Sequence, residues 1–440
     1  MTHNNRQLHL NLNFLNAGTH AAAWRWPGND PKAFIDIGYF TRVARLAEEG
    51  TFDAIFLADR PAISRHEFRP FQALEPTVVL TAIAAATRHI GLIGTVSSSF
   101  NEPYNIARRF ATLDHVSAGK IGINIVTSAD KGSAVNFGLD APIAHALRYE
   151  RAIEFADVLG ALWDSWDDDA LVADPQSGVF VDPARVHAIH HRGKFFTVQG
   201  PLNVPRSPQG RPVVIQAGGS DDGLELAARH ADGVFVVAHT RDSAATYGER
   251  LRARAAAFGR RPQDILILPG LVTIIGSTDE EARRREEALA QIPSLEQGID
   301  WLEGLLQTDL SHLDPDAPLP ESLSVPADGS QTFAREALTR ARRDKLTLRQ
   351  LIRAQGGGGT NHRIIVGTPQ AIADSIEDWF RSGAADGFNL MPDVLPSGLE
   401  DFVEQVVPLL RKKGIFRTHY TGTTLREHFG LARPAPVRKA

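Results

Sequence analysis

Two textures alternate along the chain. Short, nearly unbroken apolar runs lie at 8–14, 52–58, 90–96, 120–127, 212–217, 232–237, 265–272 and 386–391. Parallel strands covered on both sides read this way, because neither face meets water. Between the runs, helical patterns cover 36–49, 76–87, 103–117, 144–166, 222–230, 241–258, 279–291 and 369–382. Eight such alternations predict an α/β chain closed into a (β/α)8 TIM barrel, whose binding and catalytic residues gather on loops after the strands' C-terminal ends. A doubly wound open sheet is the alternative. No G-x-G-x-x-G follows any run, so a Rossmann-type dinucleotide site finds no support.

Two stretches break the rhythm and read as insertions into one barrel domain spanning 1–440. The first, 167–211, follows strand four, is rich in Asp, Pro and His, and is expected over the barrel mouth or edge. The second, 293–367, falls between strands seven and eight. It holds a polar, Pro-containing loop, a helical pattern at 332–354 and four consecutive glycines from Gly356, which suggest either a hinged lid or a linker. The tail from Lys412 is basic and Pro-containing, an arm or a loose end.

Composition narrows the chemistry. A hydrophobic content of 43% can build a sizeable core, and a net charge of −5 argues against a general nucleic-acid surface. With no cysteine, thiolate metal sites, disulfides and cysteine nucleophiles are excluded. The first residues lack a signal-peptide layout, and the longest apolar run, 77–96, is broken by Arg88 and His89, so a cytoplasmic protein without a membrane span is expected.

The stretch 212–220, PVVIQAGGS, runs a strand into two glycines and a serine ahead of a helix. That layout aims backbone N–H groups and the positive end of a helix dipole at one point, which suits a phosphate, with Ser220 as N-cap. An ordinary capped helix reads the same, and the acids Asp221 and Asp222 would have to turn outward to admit an anion. Other polar residues cluster at strand ends: Asn13, Asn16 and His20 after strand one, Asp59 after strand two, Thr95 and Ser97 on strand three, Thr127 and Ser128 after strand four. His145 and Tyr149, four apart, share a helix face and could reach a phosphate. His187, His190 and His191 lack a matching carboxylate motif and read as an exposed turn, and no metal site is expected. Arg25, Arg60 and Arg65 lie near strand ends and could form a basic patch at the mouth or pair with surface acids.

Seven stretches carry a family likeness: AAAWRWP at 21–27, FDAIFLAD at 52–59, EPYNIARRFATLDHVSAGKIGINIVTS at 102–128, NFG at 136–138, RYERAIEF at 148–155, GKFFTVQGPLNVPRSPQGRPVVIQAGGSDDG at 193–223, and VGTPQAIADSIEDWFRSGAADGFNL at 366–390. In these the chain resembles the flavin-dependent bacterial luciferase-like monooxygenases, within the group containing nitrilotriacetate, EDTA, dibenzothiophene sulfone and long-chain alkane monooxygenases. The resemblance implies reduced FMN (FMNH2) as cofactor and O2 as co-substrate, with one oxygen atom inserted into a small organic substrate through a C4a-hydroperoxyflavin. It also implies a separate NAD(P)H-dependent flavin reductase and a homo-oligomer, dimer or tetramer. By motif, Asp59 and Thr95 fall beside the isoalloxazine and ribityl region, and His145, Tyr149 and Ser220 toward the phosphate.

The chain departs from its relatives at Ile123, Ala146, Leu147 and Ala129, the last where some relatives carry a functional histidine. His20 is then the candidate proton donor. The alternatives are a flavin- or deazaflavin-dependent oxidoreductase of the same superfamily and a non-enzymatic flavin-binding protein.

Overall fold

Eight parallel strands close on themselves: β1 (His9–Asn13), β2 (Ala54–Leu57), β3 (Gly91–Ser97), β4 (Ile121–Val126), β5 (Val213–Gln216), β6 (Gly233–Val236), β7 (Leu266–Ile275) and β8 (Gly387–Pro392). Each pairs with its neighbours in sequence, β8 pairs with β1, and β6 pairs with β7, so the described part of the sheet is a closed TIM barrel rather than an open sheet. The computed structural model describes residues 6–63, 70–326, 331–357 and 360–436. Every apolar run expected to be a strand contributes one. Between them stand α1 (Ile37–Glu49), α2 (Pro76–Ala86), α3 (Pro103–Val116), α4 (His145–Trp163), α5 (Asp221–His230), α6 (Arg241–Ala256) and α7 (Asp279–Gln291). Among the described residues no helix is long and apolar enough to cross a membrane.

Strand alternation sorts the side chains. Leu10 and Leu12 of β1 pack outward in the large core with helix residues such as Val43 and Phe402. Asn11 faces inward, where its Nδ2 donates to Asn389 Oδ1 on β8 at 3.1 Å, and Asn389 Nδ2 donates to the Leu268 carbonyl at 3.1 Å. The base of the barrel is apolar and is closed by the tail. Leu425 and Phe429 join Ala54, Phe56, Ile93, Ile215 and Leu268 in one buried cluster. A Cβ on Gly91 would stand 2.4 Å from Leu425 Cδ1, so glycine on β3 makes room for the plug. The tail up to residue 436 is therefore structural.

An ion pair fixes that plug. Asp53, fully buried, accepts from the Leu10 N–H at 2.7 Å and from His9 Nδ1 at 3.0 Å, and the Arg417 guanidinium also donates to it. Burial pushes the Asp53 pKa up, but Arg417 and then His9 outweigh it and hold the carboxyl below its ordinary 3.8.

Both interrupting segments take structure. Residues 167–211 form two hairpins, Leu171–Asp174 with Val179–Val181 and His191–Arg192 with Thr197–Val198. They lie along the edge at α4, held by Glu154, which accepts from the Phe196 N–H at 2.9 Å, and by Arg206, 3.3 Å from Asp164. His187 and His191 diverge onto Asp167 and Glu154, and among the described residues no three ligand-type side chains converge as for a metal. The second segment supplies α8 (Leu295–Leu306), α9 (Gln331–Arg343) and α10 (Leu348–Ala354), with an apolar core of their own. The helix expected over 332–354 is two helices, broken where Lys345 adopts φ +49° and Thr347 caps α10. Residues 363–367 add an outer strand on β7 before α11 (Pro369–Arg381). Of the four glycines, Gly356 and Gly357 are left-handed, while Gly358 and Gly359, like Arg65, lie outside the described residues.

Asp53→Asn leaves Arg417 buried beside a neutral amide, and the expected loss is about 3–5 kcal/mol in denaturant unfolding. Because the Asp53 pKa is depressed on folding, its contribution is present above pH 3.8 and is lost as pH falls through the lower folded value. The variant should therefore show a shallower loss of stability below pH 3.8 than the wild type in acid titrations.

Candidate functional site

The most built-up corner of the mouth is the turn from β5 into α5. Ser220 caps the helix, its Oγ accepting from the Gly223 N–H at 3.1 Å, which leaves the hydroxyl hydrogen free for another acceptor. The glycines before it sit in crowded positions. A Cβ on Gly218 would meet Gln216 Nε2 at 2.5 Å and Tyr149 Oη at 3.4 Å; one on Gly219 would meet Thr332 Cγ2 at 2.8 Å. Tyr247 Oη donates to the Gly218 carbonyl at 3.0 Å and holds the turn from behind. On the first turns of α4, the His145 and Tyr149 rings lie 5.0 Å apart and face this turn. The two acids behave differently. Asp221 turns outward to Arg250 at 2.7 Å, but Asp222 Oδ2 lies 3.3 Å from His145 Nε2, so the expectation that both turn away holds only for Asp221. Asp222 holds the imidazole beside the turn.

A cavity of about 730 Å³ opens from this corner. Its walls are the β5 turn with His145, Arg148 and Tyr149, the loop after β4 with Ala129 and Lys131, the end of β6 with Phe235, and His362. Leu305 on α8 and Thr332 and Phe333 on α9 form the outer wall, so the second interrupting segment covers the cavity. Arg60 also borders it, 3.4 Å from Asp130, with its Nε buried and unpartnered. Arg25 instead donates to the Ile292 carbonyl at 2.9 Å and takes no part.

His145, Tyr149 and Ser220 thus come together on one wall. Thr95 and Asp59 lie on and after the adjacent strands β3 and β2 at the same mouth, but not on the lining of this cavity. Thr95 is buried and its Oγ1 accepts from Asn124 Nδ2 at 3.0 Å. The Asn124 Oδ1 and, on β1, the Asn13 Oδ1 are buried without a partner, acceptors suited to a ligand's N–H or O–H donors. Burial, then the neighbouring Glu75, pushes the Asp59 carboxyl up to about 6.

His20 sits elsewhere. It follows β1, lines a separate cleft of about 60 Å³, and its Nδ1 accepts from the Ala22 N–H at 3.2 Å. Burial pushes its pKa down to about 4, which keeps the ring neutral. Besides His145, a second imidazole, His362, borders the large cavity, and no motif in the sequence marks it. The apolar run IIV directly after it was a strand signal inside a stretch read as lid or linker.

A glycine turn, a helix N-terminus, a hydroxyl, a phenol and an imidazole suit a phosphate. Buried unpaired amide oxygens at the mouth suit a planar heterocycle attached to it. Known proteins resemble the chain over nearly its whole length. The profile of the family described as luciferase-like monooxygenase matches residues 12–386. The chain is 41% identical over 438 residues to the N-acetyl-S-(2-succino)cysteine monooxygenase of Bacillus subtilis (strain 168), covering 99% of each chain. It is 42% identical over 446 residues to nitrilotriacetate monooxygenase component A of Aminobacter aminovorans, covering 98% of each. Among solved structures, a riboflavin lyase with modified FMN and riboflavin superposes with a TM-score of 0.85 at 33% identity, covering 98% of each chain. A closed barrel, a phosphate-type turn and full-length likeness converge: the chain belongs to the luciferase-like monooxygenase family.

Proposed function

We propose that this chain is the oxygenase component of a two-component system, using FMNH2 supplied by a separate NAD(P)H-dependent reductase and O2 to oxygenate a small organic substrate. The observation that carries this reading is the cavity at the Gly218–Ser220 turn, on one wall of which Ser220, His145 and Tyr149 come together. Reduced FMN, when bound, supplies the activation of O2. The protein's tasks are binding, orientation and exclusion of water. Ser220, Tyr149 and His145 hold the phosphate, the last oriented by Asp222. Asp59 and Thr95 flank the ring and ribityl portion. The lid helices α8 and α9 keep the cavity dry. His20, neutral and with Nδ1 engaged, lies in a separate cleft, and a role as proton donor requires a substrate that extends from the cavity to it.

The separate reductase is supported by a relative whose name marks it as component A, and by the lack of a nicotinamide-binding motif in this chain. Arg60 and Lys131 on the cavity wall favour a substrate bearing carboxylates. Two relatives named for nitrilotriacetate and N-acetyl-S-(2-succino)cysteine point the same way. A homo-oligomer is part of the reading, to be checked by light scattering.

Oxygen consumption with FMN, a generic flavin reductase, NADH and a panel of amine polycarboxylates and succinylated thiols should exceed the substrate-free rate for at least one compound and yield a product one oxygen heavier. Flavin bound while every compound stays intact would leave a flavin-binding protein instead. Ser220→Ala is expected to weaken FMN binding by about 1.5–3 kcal/mol, the worth of a hydrogen bond to a charged group. Ser220→Gly, which nearly preserves the helix cap, should show the same loss by flavin fluorescence titration. With its pKa near 6, Asp59 becomes an anionic acceptor as pH rises from 5 to 7. FMN affinity should strengthen over that interval in the wild type, and the rise should be smaller in Asp59→Asn, where only the second ionisation of the FMN phosphate, at pH ~6, remains.

A further inference from the structure

An aromatic column runs from the barrel interior to the lid. Phe56 meets Phe235 edge to face, with centroids 5.6 Å apart; Phe235 stacks on His362 at 4.9 Å and 15°; His362 meets Phe333 of α9 edge-on at 5.6 Å. Packing alone would be served as well by a phenylalanine in third place. The chain puts an imidazole there and buries it, 5% exposed. Its Nδ1 has no hydrogen-bond partner and lies over β7, where a Cβ on Gly270 would come within 2.3 Å of it. Burial, with a smaller push from His239, drives the His362 pKa down to about 3, so the ring stays neutral at working pH. Native structures leave few buried polar atoms unpaired, because each was stripped of water for nothing in return.

The ring's position is fixed from its own segment. Gln355 Nε2 donates to Asn361 Oδ1 at 3.2 Å, Asn361 Nδ2 donates to the Phe333 carbonyl at 2.7 Å, and the His362 N–H donates to Thr360 Oγ1 at 3.0 Å. His362 also borders the cavity that holds Ser220, His145 and Tyr149. The anion seat ends β5; His362 lies beyond it around the rim, over Phe235 on β6 and Gly270 on β7. A ligand anchored at Ser220 and reaching into the mouth passes it.

We propose that His362 contacts the bound flavin, its neutral imidazole hydrogen-bonding the edge of the isoalloxazine ring while Phe235 and Phe333 hold it in place. This rests on the flavin reading above. A neutral imidazole offers one N–H donor and one lone-pair acceptor. With Nδ1 packed over Gly270, Nε2 is the nitrogen left to meet a ligand, and the pyrimidine edge of the flavin offers carbonyl oxygens beside a ring N–H, so Nε2 finds a partner whether it donates or accepts. An uncharged contact also suits a ring that changes redox state, since it favours no single charge.

The test is a titration of wild type and His362→Phe with FMN, read by quenching of flavin fluorescence and by the absorption shift of bound flavin. Phenylalanine keeps the column's stacking and removes the nitrogens while adding one ring atom, so the thermal midpoint should stay close to that of the wild type. The FMN dissociation constant is expected to rise about tenfold, the worth of one hydrogen bond, and the absorption shift to change. Affinity within twofold of wild type with an unchanged spectrum would overturn the proposal and leave His362 a packing residue. Should His362→Phe fail to fold, His362→Leu is read by the same two criteria. Wild type that binds no FMN would overturn the flavin reading and this inference together, whereas wild type and variant binding alike overturns only this one.

Discussion

Pairing of β6 with β7 closes the sheet, and that closure is the constraint on which the rest depends. A closed parallel sheet has no edge to protect, and it sends all eight C-terminal strand ends to one rim. The interior is then a column of finite width whose contents change with height. At the base it is filled by Leu425 and Phe429 from the tail, with Asp53 and Arg417 pinning the tail in place. Midway, Asn11 Nδ2 donates to Asn389 Oδ1 on the neighbouring strand, while the Asn11 Oδ1 is buried without a partner. Higher up, Asn13, Asn124 and His362 likewise present buried polar atoms with no protein partner. Apolar closure below and unmet hydrogen-bonding capacity above is the polarity a ligand-binding barrel needs.

The cavity wall is shared between two separately cored parts of the molecule. Helices α8 to α10 bury Leu302, Leu306, Leu338 and Leu351 among themselves. They meet the barrel through small, specific contacts: Thr332 on Gly219, and Phe333 on His362. A cover with its own core can shift as a body without unpacking the barrel, which suits a site that admits a ligand and then excludes water. On the barrel side, the turn is stiffened by Tyr247 behind it and by the Asp222–His145 pair beside it. An acid at an anion seat looks wrong by charge alone. Here it faces an imidazole, which it orients.

Much of the fold was legible in the sequence. Strands buried on both faces must be apolar at nearly every position, so each of the eight left an unbroken run, and the helices between them kept their spacing. Ser220, His145 and Tyr149 were legible as well, through a glycine turn and a four-residue spacing on one helix. A phosphate role for them rests on likeness to the family. The tail from Lys412 to Ala440 reads as an arm or loose end because basic and Pro-containing sequence resembles a solvated tail. Leu425 and Phe429 stand apart from any strong apolar period in it, and nothing local shows that the barrel base lacks a plug.

Sequence by itself thus determined the α/β barrel architecture, the glycine turn into a helix capped by Ser220 and the family, because each rests on local pattern or on likeness over long stretches. Tertiary structure alone decided which residues meet. It set His20 in a side cleft, turned Asp222 toward His145, and brought His362 from the far side of the lid segment onto Phe235. Those contacts join residues from 77 to 127 positions apart in the numbering of Asp222 with His145 and His362 with Phe235. Contact over such separations depends on barrel closure and helix packing, and no local spacing records it.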